Sequence, residues 1–201
     1  REFVIINARN PRLPVVVGRH ALQGYGDGVA VRGSLAFLAT GHHAPSRNAV
    51  IKPDAPEFGG GHGLEIVDIS DPAAPRFLSR VAFPRAYRVR NDMWSVRLAE
   101  RHAFVADTYN GMFVVDIADP ARPAIVAHRQ LPPAGLGGDP SPVAGLAIAK
   151  EQVYLAGGSS DLHVVAAPGW AIPVEMETRQ PVTIPPAGPA VPPGNLGERH
   201  R

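Results

Sequence analysis

The sequence contains no cysteine. That excludes disulfide stapling, a thiolate metal site and a cysteine nucleophile. Lysine occurs only at Lys52 and Lys150, so the basic side is almost all arginine. The net charge is +2, too small to make nucleic acid the expected partner. No stretch approaches about 18 uninterrupted apolar residues, so no membrane-spanning helix is expected. The sequence also lacks a Gly-x-Ser-x-Gly elbow, a P-loop, a dinucleotide fingerprint and a His-Glu-x-x-His pair. "GYGDG" at 24–28 is glycine-rich, but it precedes a strand rather than a helix, which argues against a phosphate cradle.

Glycine (21) and proline (22) are abundant instead, and together exceed a fifth of the 201 residues. Turns are therefore dense, which favours many short strands over long helices. The hydrophobic fraction of 45% is that of a chain able to build a core.

Two segments are nearly the same. "GLEIVDISDPAAP" at 63–75 returns as "GMFVVDIADPARP" at 111–123, offset by 48 positions with eight of thirteen letters identical. A weaker copy, "FVIINARNPRLP" at 3–14, has Asn7 and Asn10 in place of the aspartates. A decayed copy, "DLHVVAAPGWAIP" at 161–173, has lost both. A second box lies upstream of the last three copies: "LAFLA" at 35–39, "HAFVA" at 102–106 and "QVYLA" at 152–156. Before each box stands an alternating apolar pair: Val29 and Val31, Val96 and Leu98, Leu146 and Ile148. Short links join pair to box, "GS" at 33–34, "ER" at 100–101 and "EQ" at 151–152.

Each unit thus reads as four strands. A carries the alternating pair, B the second box and C the first apolar run. D follows the Asp-Pro turn, as in "RFLSRVAF" at 76–83 and "AIVAHRQL" at 124–131. Proline after aspartate is turn chemistry, because proline presets its own φ and the carboxylate accepts a nearby backbone N–H. Four-stranded units at a period of 48–50 residues predict an all-β fold, a β-propeller of four-stranded blades. A β-sandwich gives no reason to repeat a thirteen-residue motif.

These boxes resemble the LVIVD repeat, a family similar to the YVTN-type propellers and found mostly in exported bacterial and archaeal proteins. The resemblance covers about residues 1–180. It implies a propeller and an extracellular or cell-surface location, and brings no catalytic residues. About 3.5 blades are expected, at approximately 1–22, 23–84, 85–132 and 133–180. Residues 181–201 form a proline-rich linker or tail. Propellers close with four to eight blades, so further blades of the same chain or a second copy are expected to complete the ring. The first residues, "REFVIINARN", lack a signal-peptide pattern and lie inside a repeat, as in a fragment or a processed chain.

Strand reversal puts the A–B and C–D turns on one face, and the B–C and D–A connections on the other, called here the top. The B–C link spans five positions from Ala106 to Gly111 but 24 from Ala39 to Gly63, an insertion of 19 residues. Long loops of this kind are often functional. This one carries His42, His43 and His62 near its ends, with Asp54 and Glu57 inside, and His20 lies toward the same face. Histidines with carboxylates suit a divalent metal, and the bland alternative is a solvated glycine-rich loop. The D–A connection "PRAYRVRNDMW" places Arg85, Arg88 and Arg90 around Tyr87. Arginine forks beside an aromatic suit carboxylate, phosphate or glycan-acid recognition.

The favoured expectation is an exported or cell-surface scaffold that binds a protein or glycan through its top-face loops. The alternative is a metal-dependent hydrolase or lyase, with His42, His43 and His62 holding the ion and Arg85 or Arg88 orienting an anionic substrate.

Overall fold

The computed structural model describes residues 1–41, 61–84, 95–133, 140–150, 152–157, 162–166 and 176–177. These residues contain strands and turns and no helix. The first sheet pairs β1 (Glu2–Asn7) with β2 (Val15–Ala21). The second runs β3 (Tyr25–Arg32), β4 (Leu35–Gly41), β5 (Gly63–Asp68) and β6 (Arg76–Ala82) in order. The third repeats this with β7 (Ser95–Ala99), β8 (His102–Asp107), β9 (Gly111–Asp116) and β10 (Ala124–Arg129). The fourth has β11 (Gly145–Ala149), β12 (Gln152–Ala156), β13 (Leu162–Ala166) and the short β14 (Met176–Glu177). Every sheet is an antiparallel meander, so the architecture is a partial β-propeller: a C–D pair followed by three A–B–C–D blades.

The registers superimpose. Leu35 pairs with Asp68 as His102 pairs with Asp116 and Gln152 with Ala166. The fourth A–B turn differs from expectation. Ala149 pairs with Gln152, so the turn is 150–151, one residue earlier than the "EQ" read from alternation. It then matches its siblings, because Gly33, Glu100 and Lys150 all take positive φ (59°, 45° and 48°) at the first turn position. Only primed turns fit the twist of a two-residue hairpin, and they require that conformation. "GYGDG" lies mostly within β3, where the register shifts between Gly26 and Gly28.

The core lies between the sheets. Phe37, Leu64 and Ile66 of the second sheet pack against Val96, Phe113 and Val115 of the third. Phe104, Met112 and Val114 pack against Val153, Leu155 and Val165 of the fourth. Phe83 bridges the second and third sheets, its ring 4.3 Å from that of Phe113. Alternating apolar side chains on both faces of each sheet are what stacked blades need.

The Asp-Pro box works as its chemistry predicts in the three copies that keep an aspartate or asparagine at both positions. Asp68 accepts from the Ser70 N–H and Asp71 from Ala73; Asp116 accepts from Ala118 and Asp119 from Ala121. Asn7 and Asn10 do the same for Arg9 and Arg12. The box also docks neighbouring blades. Ser79 Oγ donates to the Pro120 carbonyl at 2.5 Å. At the equivalent slot in β2 stands Gly18, where a Cβ would overlap the Pro72 carbonyl. The preceding residue is a bulge in each D strand, at Val17, Leu78 and Val126. The expected face assignment holds: Ile69 and Ile117 N–H donate to Ser34 and Arg101 carbonyls at 2.8 Å, tying each C–D turn to the A–B turn beside it.

Candidate functional site

The top of the second and third sheets is organised around the His62 carbonyl. It accepts from the Phe83 N–H at 3.0 Å and from Arg80 Nη2 at 2.8 Å. Thr40 Oγ1 donates to the Gly61 carbonyl at 2.7 Å, drawing the two ends of the B–C insertion together. The base of the insertion and the start of the next D–A connection therefore share one hydrogen-bonded anchor. The local sequence requires it: a Cβ at Gly63 would overlap the Val81 carbonyl, so only glycine lets β5 approach β6 this closely.

The same anchor recurs one blade on. His128 Nε2 donates to the Asn110 carbonyl at 2.5 Å, and the positive-φ Gly111 meets the Arg129 carbonyl where a Cβ would stand. His128 also stacks on Phe113, with centroids 4.1 Å apart and planes at 10°.

Buried polar groups cluster beneath this rim. His62 Nδ1 lies 3.4 Å from Asp107 Oδ2, with the two side chains 0% and 1% exposed. Asn110 Nδ2 donates to the same oxygen at 3.4 Å. The pair joins the second sheet to the third, and its burial keeps it from a dissolved substrate. Thr108 takes φ +35° and forms a bridge with Val143, whose N–H donates to its carbonyl at 2.8 Å. Asp107 Oδ1 and Thr108 Oγ1 are buried without a hydrogen-bond partner among the described residues. Glu65 is fully buried: its Oε1 accepts from the Gln23 N–H at 2.8 Å and faces Arg80 Nε at 3.8 Å. Burial holds the Arg80 guanidinium below its ordinary range, against the pull of Glu65.

Of the residues singled out by sequence, His62 is placed at the shared anchor, with its ring turned into the protein. His42, His43, Asp54, Glu57, Arg85, Tyr87, Arg88 and Arg90 lie outside the described residues. Among the described residues, no three histidines or carboxylates converge in a metal-binding group. Sequence reasoning missed Asp107, Glu65 and Arg80. Two signals were present. An acid follows "AFVA" where the sibling boxes continue with Thr40 and Gly157, and a charge interrupts "GLEIVD" where the siblings have Phe113 and His163.

Residues 59–82 and 91–128 match the family model of the LVIVD repeat. This segment is built of LVIVD repeats. The matched residues run from β5 through β6 and from β7 through β10, so each LVIVD match ends on the C–D pair that carries the Asp-Pro box. No curated protein matches the chain. No helix among the described residues is long and apolar enough to cross a membrane.

Proposed function

We propose that this β-propeller repeat protein is an exported or cell-surface scaffold, and that it binds a protein or glycan through the loops on its top face. One observation supports the reading: Thr40 and Gly61, which flank 42–60, are hydrogen-bonded to each other, and His62 beside them accepts from Phe83, which leads towards 85–94. Two long segments set on one rigid base are a common way to present a binding surface. Arg85, Arg88 and Arg90 around Tyr87 suit an acidic group on the partner, so an acidic glycan is the first ligand to try. The metal-dependent hydrolase or lyase reading rests on His42, His43 and His62, with Asp54 and Glu57 in the same insertion. The inward ring of His62 and its Asp107 neighbour leave that residue less suited to hold an ion.

The test uses immobilised polygalacturonate and the full chain. The reading expects saturable binding that falls at least tenfold in the R85A/R88A/R90A triple variant and is unchanged in H42A/H43A. Binding that survives the triple change overturns it. Stoichiometric zinc or another divalent metal that is lost in H42A/H43A would favour the hydrolase or lyase instead.

A further inference from the structure

The C–D turn of the first sheet keeps the geometry of its siblings and reverses their charge. Asn7 and Asn10 accept from the Arg9 and Arg12 N–H groups at 3.0 and 3.1 Å. The Leu13 N–H closes the turn on the Asn10 carbonyl at 3.0 Å. The sibling turns make the same bonds through aspartates, with Ala74 and Arg122 in the place of Leu13. Over the matched stretches 68–76 and 116–124 the net charge is −1, whereas over 7–15 it is +2. The turn needs only a side-chain oxygen at each position, so its backbone does not require this reversal.

The two added cations have no carboxylate of their own. Arg76, Arg101 and Arg122 each hold a box aspartate, and Arg32 donates to the Glu100 carbonyl. Among the described residues Arg9 and Arg12 make no ion pair, and both are exposed. Leu13 beside them is 70% exposed, more than any other large apolar side chain described. A sheet packed in front of this turn leaves these slots open. The second and third sheets each dock their box on the sheet before, Pro72 against Gly18 and Pro120 against Ser79. Their residues in the slots of Arg9, Arg12 and Leu13 stay exposed all the same: Ser70, Ala73 and Ala74 in one, Ala118, Ala121 and Arg122 in the other.

We infer that this turn is a docking point for an acidic protein segment, with Arg9 and Arg12 taking two carboxylates and Leu13 an apolar side chain between or beside them. Arginine forks match carboxylates bidentately, and an apolar contact next to an ion pair excludes water and strengthens it. Pro11 and Pro14 fix the turn in advance, so little order has to be gained on binding. An acidic glycan would use the arginines but not the leucine, so the leucine selects a polypeptide. The turn lies on the face opposite the loops of the proposed glycan surface.

The probes are poly-L-glutamate, a random copolymer of glutamate and leucine, and heparin, each immobilised, with the full chain in solution. Saturable binding to the copolymer is expected, tighter than to either of the others and weaker as salt is raised. R9A/R12A should lower affinity for the copolymer at least tenfold, and R85A/R88A/R90A should leave it unchanged. L13S should bring the copolymer down to the level of poly-L-glutamate. N7D/N10D keeps every hydrogen bond of the turn and restores the two carboxylates, so it should lose binding as R9A/R12A does. All five side chains are exposed, so these variants should melt with the parent. Absence of saturable binding, full binding by R9A/R12A, N7D/N10D or L13S, or loss in the R85A/R88A/R90A variant instead would overturn the inference. So would heparin bound more tightly than the copolymer and released by R9A/R12A, which would assign the turn to a sulfated glycan.

Discussion

Glu65 and Arg80 face each other across β5 and β6 in the slots that Phe113 and His128 hold across β9 and β10. One blade closes its rim with a buried ion pair and the next with a stacked ring pair. Both Arg80 and His128 reach the carbonyl of the residue that precedes the C strand. The hydrogen bond to that carbonyl is common to the two blades, and the chemistry beneath it is not.

A transplant between blades follows from this relationship. Removing Arg80 leaves the fully buried Glu65 carboxylate without its cation, a loss of about 3 kcal/mol for a broken buried pair. Arg80→Ala is therefore expected to lower unfolding stability by about that amount in urea. The double change E65F/R80H installs the pair of the third sheet and should recover at least half of the loss. It should not recover all of it, because the Gln23 N–H loses its acceptor, worth about 1 kcal/mol. A double variant less stable than Arg80→Ala would show that the two slots are not interchangeable.

Glycine at the head of the two best-matched copies of the motif, Gly63 and Gly111, is a packing requirement. At Gly111 both effects coincide: φ is +94°, and a Cβ would overlap the Arg129 carbonyl. Gly111→Ala is expected to cost at least about 2 kcal/mol, from left-handed strain plus a backbone shift. Gly33 also has positive φ, but open space surrounds its missing side chain. Gly33→Ala should cost only the strain, about 1 kcal/mol. Equal losses in thermal melts would remove the steric part of this account.

How much of this was legible in the sequence depended on the range of each interaction. The Asp-Pro box was legible because its hydrogen bonds reach only two residues ahead, and Asn7 and Asn10 preserve them. The inner strands were legible as alternation, but Val29 and Val31 carry the same pattern as Val96 and Leu98 while lying exposed. Alternation identifies a strand and not the neighbour that covers it. The bulges at Val17, Leu78 and Val126 were hidden within continuous apolar runs. His62 was legible as a histidine near a loop end. Its inward ring depends on Asp107, which lies on a different sheet. Four of the five metal candidates and the Arg85–Arg90 group fall outside the described residues.

Acid should destabilise the fold in two stages. Burial is the chief cause holding His102 below its ordinary value of about 6.5, with Arg101 adding to it and Asp116 opposing. The unfolded chain therefore takes up this proton first, and stability falls as pH drops through about 6.5. The carboxylates of Asp68, Asp116 and Asp119 are also held low. The leading causes are the Ser70 backbone N–H, the Arg101 guanidinium and the Arg122 guanidinium respectively. Their contribution is present above about pH 3.9 and is lost as pH falls through their lower folded values. The fourth blade has Gln152 in the slot of His102, so His102→Gln should flatten the slope between pH 7 and 5 and leave most of the lower stage in place, since Arg101 and the Ala118 N–H still hold Asp116 low. A slope that persists in this variant would assign the first stage to another histidine.

The insertion can be trimmed, but only as far as its anchors. The sibling link from Asp107 to Gly111 closes the same hairpin within five positions, so the blade does not require the longer one. Deleting 42–60 with a short turn in its place keeps Thr40, Gly61 and His62. The Thr40–Gly61 hydrogen bond, both donors to the His62 carbonyl and the His62–Asp107 contact all survive. This variant is expected to be soluble and to melt within a few degrees of the parent, with a slight entropic gain of about 0.6 kcal/mol per halving of loop length. Extending the deletion through His62 is expected to behave differently. It leaves Asp107 buried without its histidine, at a cost of about 1–3 kcal/mol for the stranded group. The two deletions differ by only two residues, so comparing their urea midpoints isolates the anchor from the loop. If both melt alike, His62 is not part of the framework and returns to the list of loop residues free to bind a ligand. If the shorter deletion already fails to fold, the segment 42–60 is itself structural, and the binding surface has to be sought on the Arg85–Arg90 connection alone.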